Sequence, residues 1–148
     1  MTRKCISTFV LAGISALLLV AAPAPASARA KAKTVHRTIA VETARDYWLF
    51  HKQTKFKYFG IIDLRSPKRF FKGRIPGALN IEANKRIRRK LYKLSKKKAY
   101  MVYSRSGKEG KRIMALMKKL RFREVYNIAD GIIAWKRRKY PLKSGTSD

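Results

Sequence analysis

The sequence predicts an α/β fold in which a small parallel sheet is flanked by helices on both faces. Short apolar runs that read as strands alternate along the chain with segments whose apolar residues recur at helical spacing. The run at residues 59–64 is nearly continuous in apolar residues, as strands covered on both faces are. The 148 residues are enough for one domain with a core. In such sheets, ligands bind beyond the carboxyl ends of the strands.

The first 28 residues have the three-part pattern of a cleavable signal peptide. Arg3 and Lys4 precede an apolar run, Ile6–Ala22, which is followed by alanine, proline and serine. These small residues suit cleavage before Arg29, and cleavage before Lys31 competes with it. The alternative is an uncleaved anchor, although the run is shorter than the ~20 residues that a spanning helix needs. We therefore expect an exported protein, periplasmic or extracellular.

The rest of the chain is expected to form a basic linker at 29–37, one domain at 38–143 and a tail at 144–148. Ser66 suits a helix cap, Pro67 the first helical position and Gly73 the helix end. The same kind of reasoning, applied in order, places strands at 38–41, 59–64, 79–81, 99–103 and 125–128, and helices at 42–51, 66–73, 83–94, 112–120 and 132–136.

The charge is extreme, with 37 Lys and Arg against 8 Asp and Glu and a formal net charge of +29. Such an imbalance indicates anionic partners, and export favours anionic envelope polymers or lipids over nucleic acid. Self-repulsion of this size favours a monomer. The one cysteine, Cys5, lies in the predicted signal peptide. No disulfide framework and no cysteine-based metal site is therefore expected. We also predict no other metal site and no cofactor.

The most informative stretch follows the predicted strand at 99–103. A loop with two glycines joins this strand to a helix, and backbone N–H groups at such a junction form an anion cradle. Hydroxyls and cations add to it, whereas the carboxylate of Glu109 opposes it. The alternative is a loop without any ligand. The candidate anion-binding residues are Ser104, Arg105, Ser106, Gly107, Lys108, Glu109 and Gly110.

Ser104 could also be considered as a nucleophile. A serine needs a general base within hydrogen-bond reach. The only histidines are His36 and His51, and nothing in the sequence brings them to the loop. A serine that closes a non-catalytic loop is the favoured interpretation.

Three separated motifs resemble those of the rhodanese-like (sulfurtransferase) domain family. The first comprises residues 61–67, Phe70 and 73–81, the second residues 102–107, and the third Phe122, 125–128 and 131–135. Together they extend over about Thr38 to Leu142 in the order that the family has. The resemblance implies the family's α/β fold. In active members it also implies transfer of sulfur from a donor such as thiosulfate, through a persulfide on a loop cysteine.

This chain departs from the family pattern at several positions. Ser104 stands where active members have the cysteine, and a serine hydroxyl cannot form a persulfide. Glu109 stands where the family usually has arginine. Arg74 replaces a common histidine, and Arg121 and Asp130 replace common glycines, which we expect to be variations of surface and turn.

The resemblance implies that Asp63 and Arg65 brace the active-site loop. With Ser104 in the nucleophile position, we expect a domain without sulfurtransferase activity that binds or scaffolds anionic partners. The alternative is an enzyme of the sulfurtransferase family with residual small-oxyanion chemistry at the Ser104–Gly110 loop.

Overall fold

The structure of the protein is a computed structural model that describes residues 34–54 and 57–145. The described residues belong to one compact unit. Its centre is a five-stranded, fully parallel sheet with the order β1-β5-β4-β2-β3. The strands are β1 (Val35–Ile39), β2 (Phe59–Asp63), β3 (Ala78–Asn80), β4 (Ala99–Tyr103) and β5 (Glu124–Ile128).

Five helices alternate with the strands, so the predicted α/β architecture is confirmed. They are α1 (Val41–Thr54), α2 (Pro67–Phe71), α3 (Ile87–Tyr92), α4 (Lys108–Lys119) and α5 (Gly131–Arg137). Two apolar layers hold them to the sheet. One contains Trp48 of α1, Phe70 of α2 and Trp135 of α5, and the other contains Leu91 of α3 and Met117 of α4.

The strand order places the candidate site. β4 lies between β5 and β2, and all three strands run in the same direction. Their carboxyl ends therefore share one edge of the sheet, which brings Asp63, Ser104 and Asp130 to that edge.

Several element boundaries differ from those that the sequence predicts. α3 is only six residues long because an Asx turn precedes it: Asn84 Oδ1 accepts the Arg86 amide at 3.0 Å. α4 starts at Lys108, because the Lys111 amide already closes a helical turn on the Gly107 carbonyl at 2.9 Å. β1 starts at Val35, within the predicted linker, because it pairs with β5 from that residue onward.

Arg74 is wrongly predicted to be a surface variation, since only 1% of it is exposed. Its guanidinium lies over the Phe70 ring, 4.6 Å from the centroid, and donates a hydrogen bond to the Gly145 carbonyl at 2.7 Å. Arg74 and Lys143 also exchange backbone hydrogen bonds of 2.8 and 2.9 Å. Part of the predicted tail is therefore bound to the domain, at least as far as Gly145.

The predicted signal peptide lies outside the described residues, as does most of the predicted linker. Within the part of the chain that is described, no helix combines the length and the apolar character needed to span a bilayer.

Candidate functional site

Ser104 lies at the carboxyl end of β4 and is 4% exposed. Its hydroxyl oxygen accepts hydrogen bonds from the backbone amides of Gly107 at 3.1 Å and Gly110 at 3.4 Å. Both amides belong to the turn and first residues of α4, whose N-terminal amides lack partners within the helix. The side chain of Ser104 thus occupies the centre of the predicted cradle.

Two glycines allow the β5–α5 turn to approach this loop. Gly107 has a left-handed φ of 79°, and a Cβ there would lie 2.9 Å from both the Ile128 oxygen and the Asp130 nitrogen. Gly131 has a φ of 56°, and a Cβ there would lie 2.2 Å from the Ser104 carbonyl oxygen. Any larger residue at either position would push the two turns apart.

The first turn of α5 then holds the loop from its other side. The amide of Ile132 donates to the Ser104 carbonyl at 3.0 Å, and the amide of Ile133 donates to the Arg105 carbonyl at 3.3 Å. The loop backbone is therefore fixed between the amino ends of α4 and α5.

Asp63 and Arg65 form a buried ion pair at the neighbouring end of β2. Arg65 Nε lies 3.0 and 3.1 Å from the two carboxylate oxygens of Asp63, and a terminal nitrogen lies 2.5 Å from one of them. Burial alone would lower the pKa of Arg65, but the bonds to Asp63 raise it overall. The same guanidinium donates to the Gly73 carbonyl at 2.8 Å. The pair therefore joins the end of β2 to the turn before β3.

Tyr103 connects this pair to the loop. Tyr103 is the residue before Ser104 and is fully buried, with the Arg65 guanidinium 5.6 Å from its ring centroid. Its hydroxyl accepts the Ile75 amide at 3.2 Å. Burial, followed by the negative charge of Asp63, raises the pKa of Tyr103 well above its usual range. The phenol is therefore neutral at physiological pH.

A basic cavity of about 340 Å³ opens beside the loop, and we call it the mouth. Its lining contains five basic side chains, two isoleucines and no carboxylate. The lining residues are Arg65, Arg69, Lys72, Arg105, Ile132, Ile133 and Lys136.

The structure divides the predicted loop residues between two sides. Arg105 lines the mouth, whereas Ser106, Gly107 and Lys108 line a second cavity of about 260 Å³ that also contains Asn127. Three mouth residues escape sequence reasoning, namely Arg69, Lys72 and Lys136. The sequence does contain a signal that could have identified them. Arg69 lies in α2, Lys72 directly follows it and Lys136 lies in α5, and these helices follow the carboxyl ends of β2 and β5.

Glu109 does not line the mouth. Its carboxylate is bound by the guanidinium of Arg112, one turn further along α4. The expected opposition of Glu109 to anions is therefore reduced by a cation on the same helix.

Neither histidine is placed at the loop. His36 is the second residue of β1, and the His51 ring lies 5.2 Å from the ring of Phe59, the first residue of β2. Both lie toward the amino ends of the strands, and Ser104 follows the carboxyl end of β4. A histidine base for Ser104 is thus excluded by the topology.

Comparison with known proteins gives consistent matches. The profile of the rhodanese-like domain family matches residues 44–138. A protein named sulfurtransferase from Allochromatium vinosum is 29% identical over 82 residues, which cover 55% of this chain and 76% of that protein.

Two solved structures support the fold. A rhodanese-like domain protein from Staphylococcus aureus superposes with a TM-score of 0.61 at 19% identity, covering 74% of this chain and 99% of the other. A rhodanese-related protein from Thermoplasma volcanium gives a TM-score of 0.58 at 22% identity, covering 72% and 97%. With the family profile matching well over half of the chain, the protein belongs to the rhodanese-like domain family.

Proposed function

We propose that this chain is an exported rhodanese-like domain that binds anionic partners and does not transfer sulfur. The observation that carries the proposal is Ser104, whose hydroxyl occupies the loop centre and accepts two backbone amides. Sulfur transfer through a persulfide needs a thiolate at this point, because a sulfane sulfur is held by a sulfur–sulfur bond. The sequence has no cysteine beyond Cys5 that could replace it.

The mouth supports the anion-binding half of the proposal. Five basic side chains surround one opening, and no carboxylate lines it. Arg65 is already paired with Asp63, so Arg69, Lys72, Arg105 and Lys136 are the side chains that supply positive charge to a bound anion.

A sulfurtransferase assay tests the catalytic half. The protein, its Ser104→Cys variant and a heat-inactivated control are compared for thiosulfate:cyanide turnover. We expect the wild type to match the control and the cysteine variant to exceed it, because the loop that would hold the sulfur is intact. Wild-type turnover clearly above the control would overturn the proposal.

Thermal-shift titrations with sulfate and thiosulfate test the binding half. Either anion should raise the melting temperature. Arg105→Gln should raise the anion concentration that gives half of this shift about tenfold or more, since a hydrogen bond to a charged group contributes about 1.5–3 kcal/mol. Arg89→Gln, an equal change of charge on α3, is the control. An equal loss in both variants would show a general charge effect and contradict a site at the mouth.

The alternative function is residual small-oxyanion chemistry at the Ser104–Gly110 loop. The converging amides of Gly107 and Gly110 favour it, because preorganised donors stabilise developing negative charge. Turnover of an aryl phosphate or aryl sulfate ester that Ser104→Ala abolishes would establish this alternative. Turnover that survives the substitution would reject it.

Export and the monomeric state are part of the proposal. Mass spectrometry of the protein recovered from an exporting host should find an N-terminus at Arg29 or Lys31. An intact N-terminus on a membrane-bound chain would indicate the uncleaved anchor instead. Light scattering should give the mass of one chain, because the large excess of Lys and Arg over Asp and Glu opposes self-association.

A further inference from the structure

The segment Lys85–Lys98 forms a basic surface that the mouth does not use. Nine of its fourteen residues are Lys or Arg, and none is Asp or Glu. Ile87 and Leu91 of α3 turn inward and are buried, so the basic side chains of the helix are directed to solvent. We call this segment the α3 surface. Its basic residues are Lys85, Arg86, Arg88, Arg89, Lys90, Lys93, Lys96, Lys97 and Lys98.

No residue of the α3 surface forms an ion pair with a carboxylate in the described part of the chain. Ion pairs that do occur there join Arg45 to Asp46, Arg65 to Asp63, Arg112 to Glu109 and Arg138 to Glu42. Like charges at this density oppose the folded state. An external anionic partner would remove that repulsion.

An exposed aromatic ring lies in the middle of the surface. Tyr92 is 52% exposed, and its ring is flanked by the Arg88 guanidinium at 6.0 Å and the Lys96 ammonium at 5.2 Å. The negative face of an aromatic ring attracts cations. These two contacts therefore favour an exposed position of the Tyr92 ring between the two basic side chains. Tyrosine is also common at membrane surfaces, where its ring contacts the apolar phase and its hydroxyl stays in water.

The surface continues beyond α3. The Arg123 amide donates to the Lys96 carbonyl at 2.9 Å, which places the α4–β5 turn beside the α3–β4 loop. That turn adds the exposed side chains of Arg121 and Arg123. α3 and α4 pack on the same layer of the core, so their basic residues share one side of the domain.

We infer that the α3 surface docks the domain onto a bilayer that contains anionic phospholipid. This inference rests on the proposed function, which states that the partner is anionic. It adds that the partner is a phospholipid bilayer and that it binds at the α3 surface. Clusters of four to eight Lys and Arg are typical of segments that bind anionic membranes, and each such side chain near the membrane surface contributes about a fivefold factor in affinity.

The shape of the surface favours a bilayer over a single nucleic acid strand. Strand-binding proteins combine a basic groove with several aromatic platforms along it. Here the cations project from the outer side of a short helix and its flanking loops, and Tyr92 is the one aromatic residue between Lys85 and Lys98. A plane of anionic headgroups can meet many such side chains at once, and the proposed export brings the chain to a membrane.

Vesicle sedimentation tests the inference. The chain from Arg29 to Asp148 is suitable, because it contains the whole sheet and both apolar layers. Vesicles of phosphatidylcholine with phosphatidylglycerol are compared with vesicles of phosphatidylcholine alone. The surface variant carries Arg89→Gln, Lys93→Gln and Lys97→Gln. The control variant carries Lys57→Gln, Lys68→Gln and Arg137→Gln, which are exposed positions outside the α3 surface.

We expect binding only to the anionic vesicles, with the half-saturating lipid concentration raised about tenfold or more in the surface variant and less than about threefold in the control. An equal loss in both variants, or none in the surface variant, would overturn the inference. So would a single-stranded oligonucleotide that binds more tightly than the vesicles and whose binding alone is lost in the surface variant.

The mouth variant Arg105→Gln separates this inference from the proposed function. It should bind vesicles as the wild type does, and the surface variant should keep the wild-type response to sulfate. A wild-type protein that binds the anionic vesicles but gives no thermal shift with sulfate would reject the mouth alone. The opposite result would reject the α3 surface alone.

Discussion

The amide of Gly107 donates a hydrogen bond to the hydroxyl oxygen of Ser104 across 3.1 Å, and the amide of Gly110 follows at 3.4 Å. Ser104 therefore acts on α4 as a helix-capping residue does, although it precedes the helix by four positions. Ser104 thus has a structural task in this chain, because its hydroxyl holds the turn that leads into α4.

Replacing Ser104 with alanine should lower the free energy of unfolding by about 1–2 kcal/mol, because two amides lose their acceptor. Urea denaturation measures the change. Ser106→Ala in the same loop removes an exposed hydroxyl and should change stability by less than about 0.5 kcal/mol. Equal effects of the two substitutions would show that the hydroxyl of Ser104 does not cap α4.

The ion pair of Asp63 and Arg65 should be much more important for stability than an exposed pair. Arg65→Gln leaves the carboxylate of Asp63 buried without its cation and should cost about 3–5 kcal/mol. Arg138→Gln breaks an exposed pair with Glu42 and should cost less than about 1 kcal/mol. Chemical denaturation of both variants tests the contrast, and costs of similar size would contradict it.

Gly110 should resist substitution because of one neighbour. A Cβ at Gly110 would lie 2.0 Å from Asn127 Oδ1 and 3.0 Å from its Cγ. Gly110→Ala should therefore destabilise the fold by about 1–3 kcal/mol, as overpacking of a filled site does. The cost should shrink when Asn127 is also changed to alanine, and a double-mutant cycle measures this coupling. If the effects of the two substitutions on the free energy of unfolding were additive, the strain would not arise from the contact between residue 110 and Asn127.

Stability should fall at alkaline pH in a way that depends on Tyr103. Its folded pKa is raised by burial and by Asp63, so its contribution to stability is complete below the unfolded pKa of about 10 and is lost as pH rises above it. Tyr103→Phe should be less stable near pH 8, since the Ile75 amide loses its acceptor. It should nevertheless lose less stability between about pH 10 and 12. Unfolding curves at several pH values decide this, and parallel pH profiles would refute it.

The central part of the fold could be predicted because local and global signals agree there. The strand at 99–103 is a continuous apolar run, and the glycine at 107 marks the turn before a helix with a clear apolar stripe. The three family motifs follow the chain in order, and the strand order then brings their ends together at one edge.

The errors arise from side-chain contacts between distant residues. The sequence shows Arg74 as one of 37 basic residues. Its neighbours in sequence do not indicate that it donates a hydrogen bond to the carbonyl of Gly145, 71 positions later. The sequence predicts only part of the mouth for the same reason. Arg69 and Lys136 lie in separate segments of the chain and come together only in the folded domain. α3 was predicted too long because helical periodicity does not reveal a competing Asn84 turn.

The sheet order and the Arg74–Lys143 bridge together suggest how the domain would respond to mechanical force. β1 has a single neighbouring strand, β5, whereas the segment ending at Gly145 is fastened by backbone bonds to Arg74 and Phe71. Tension applied at residues 34 and 145 reaches these two peripheral attachments before it reaches β4. The two ends would therefore detach first, and tension from residue 145 would next reach α5, whose first turn holds the loop around Ser104.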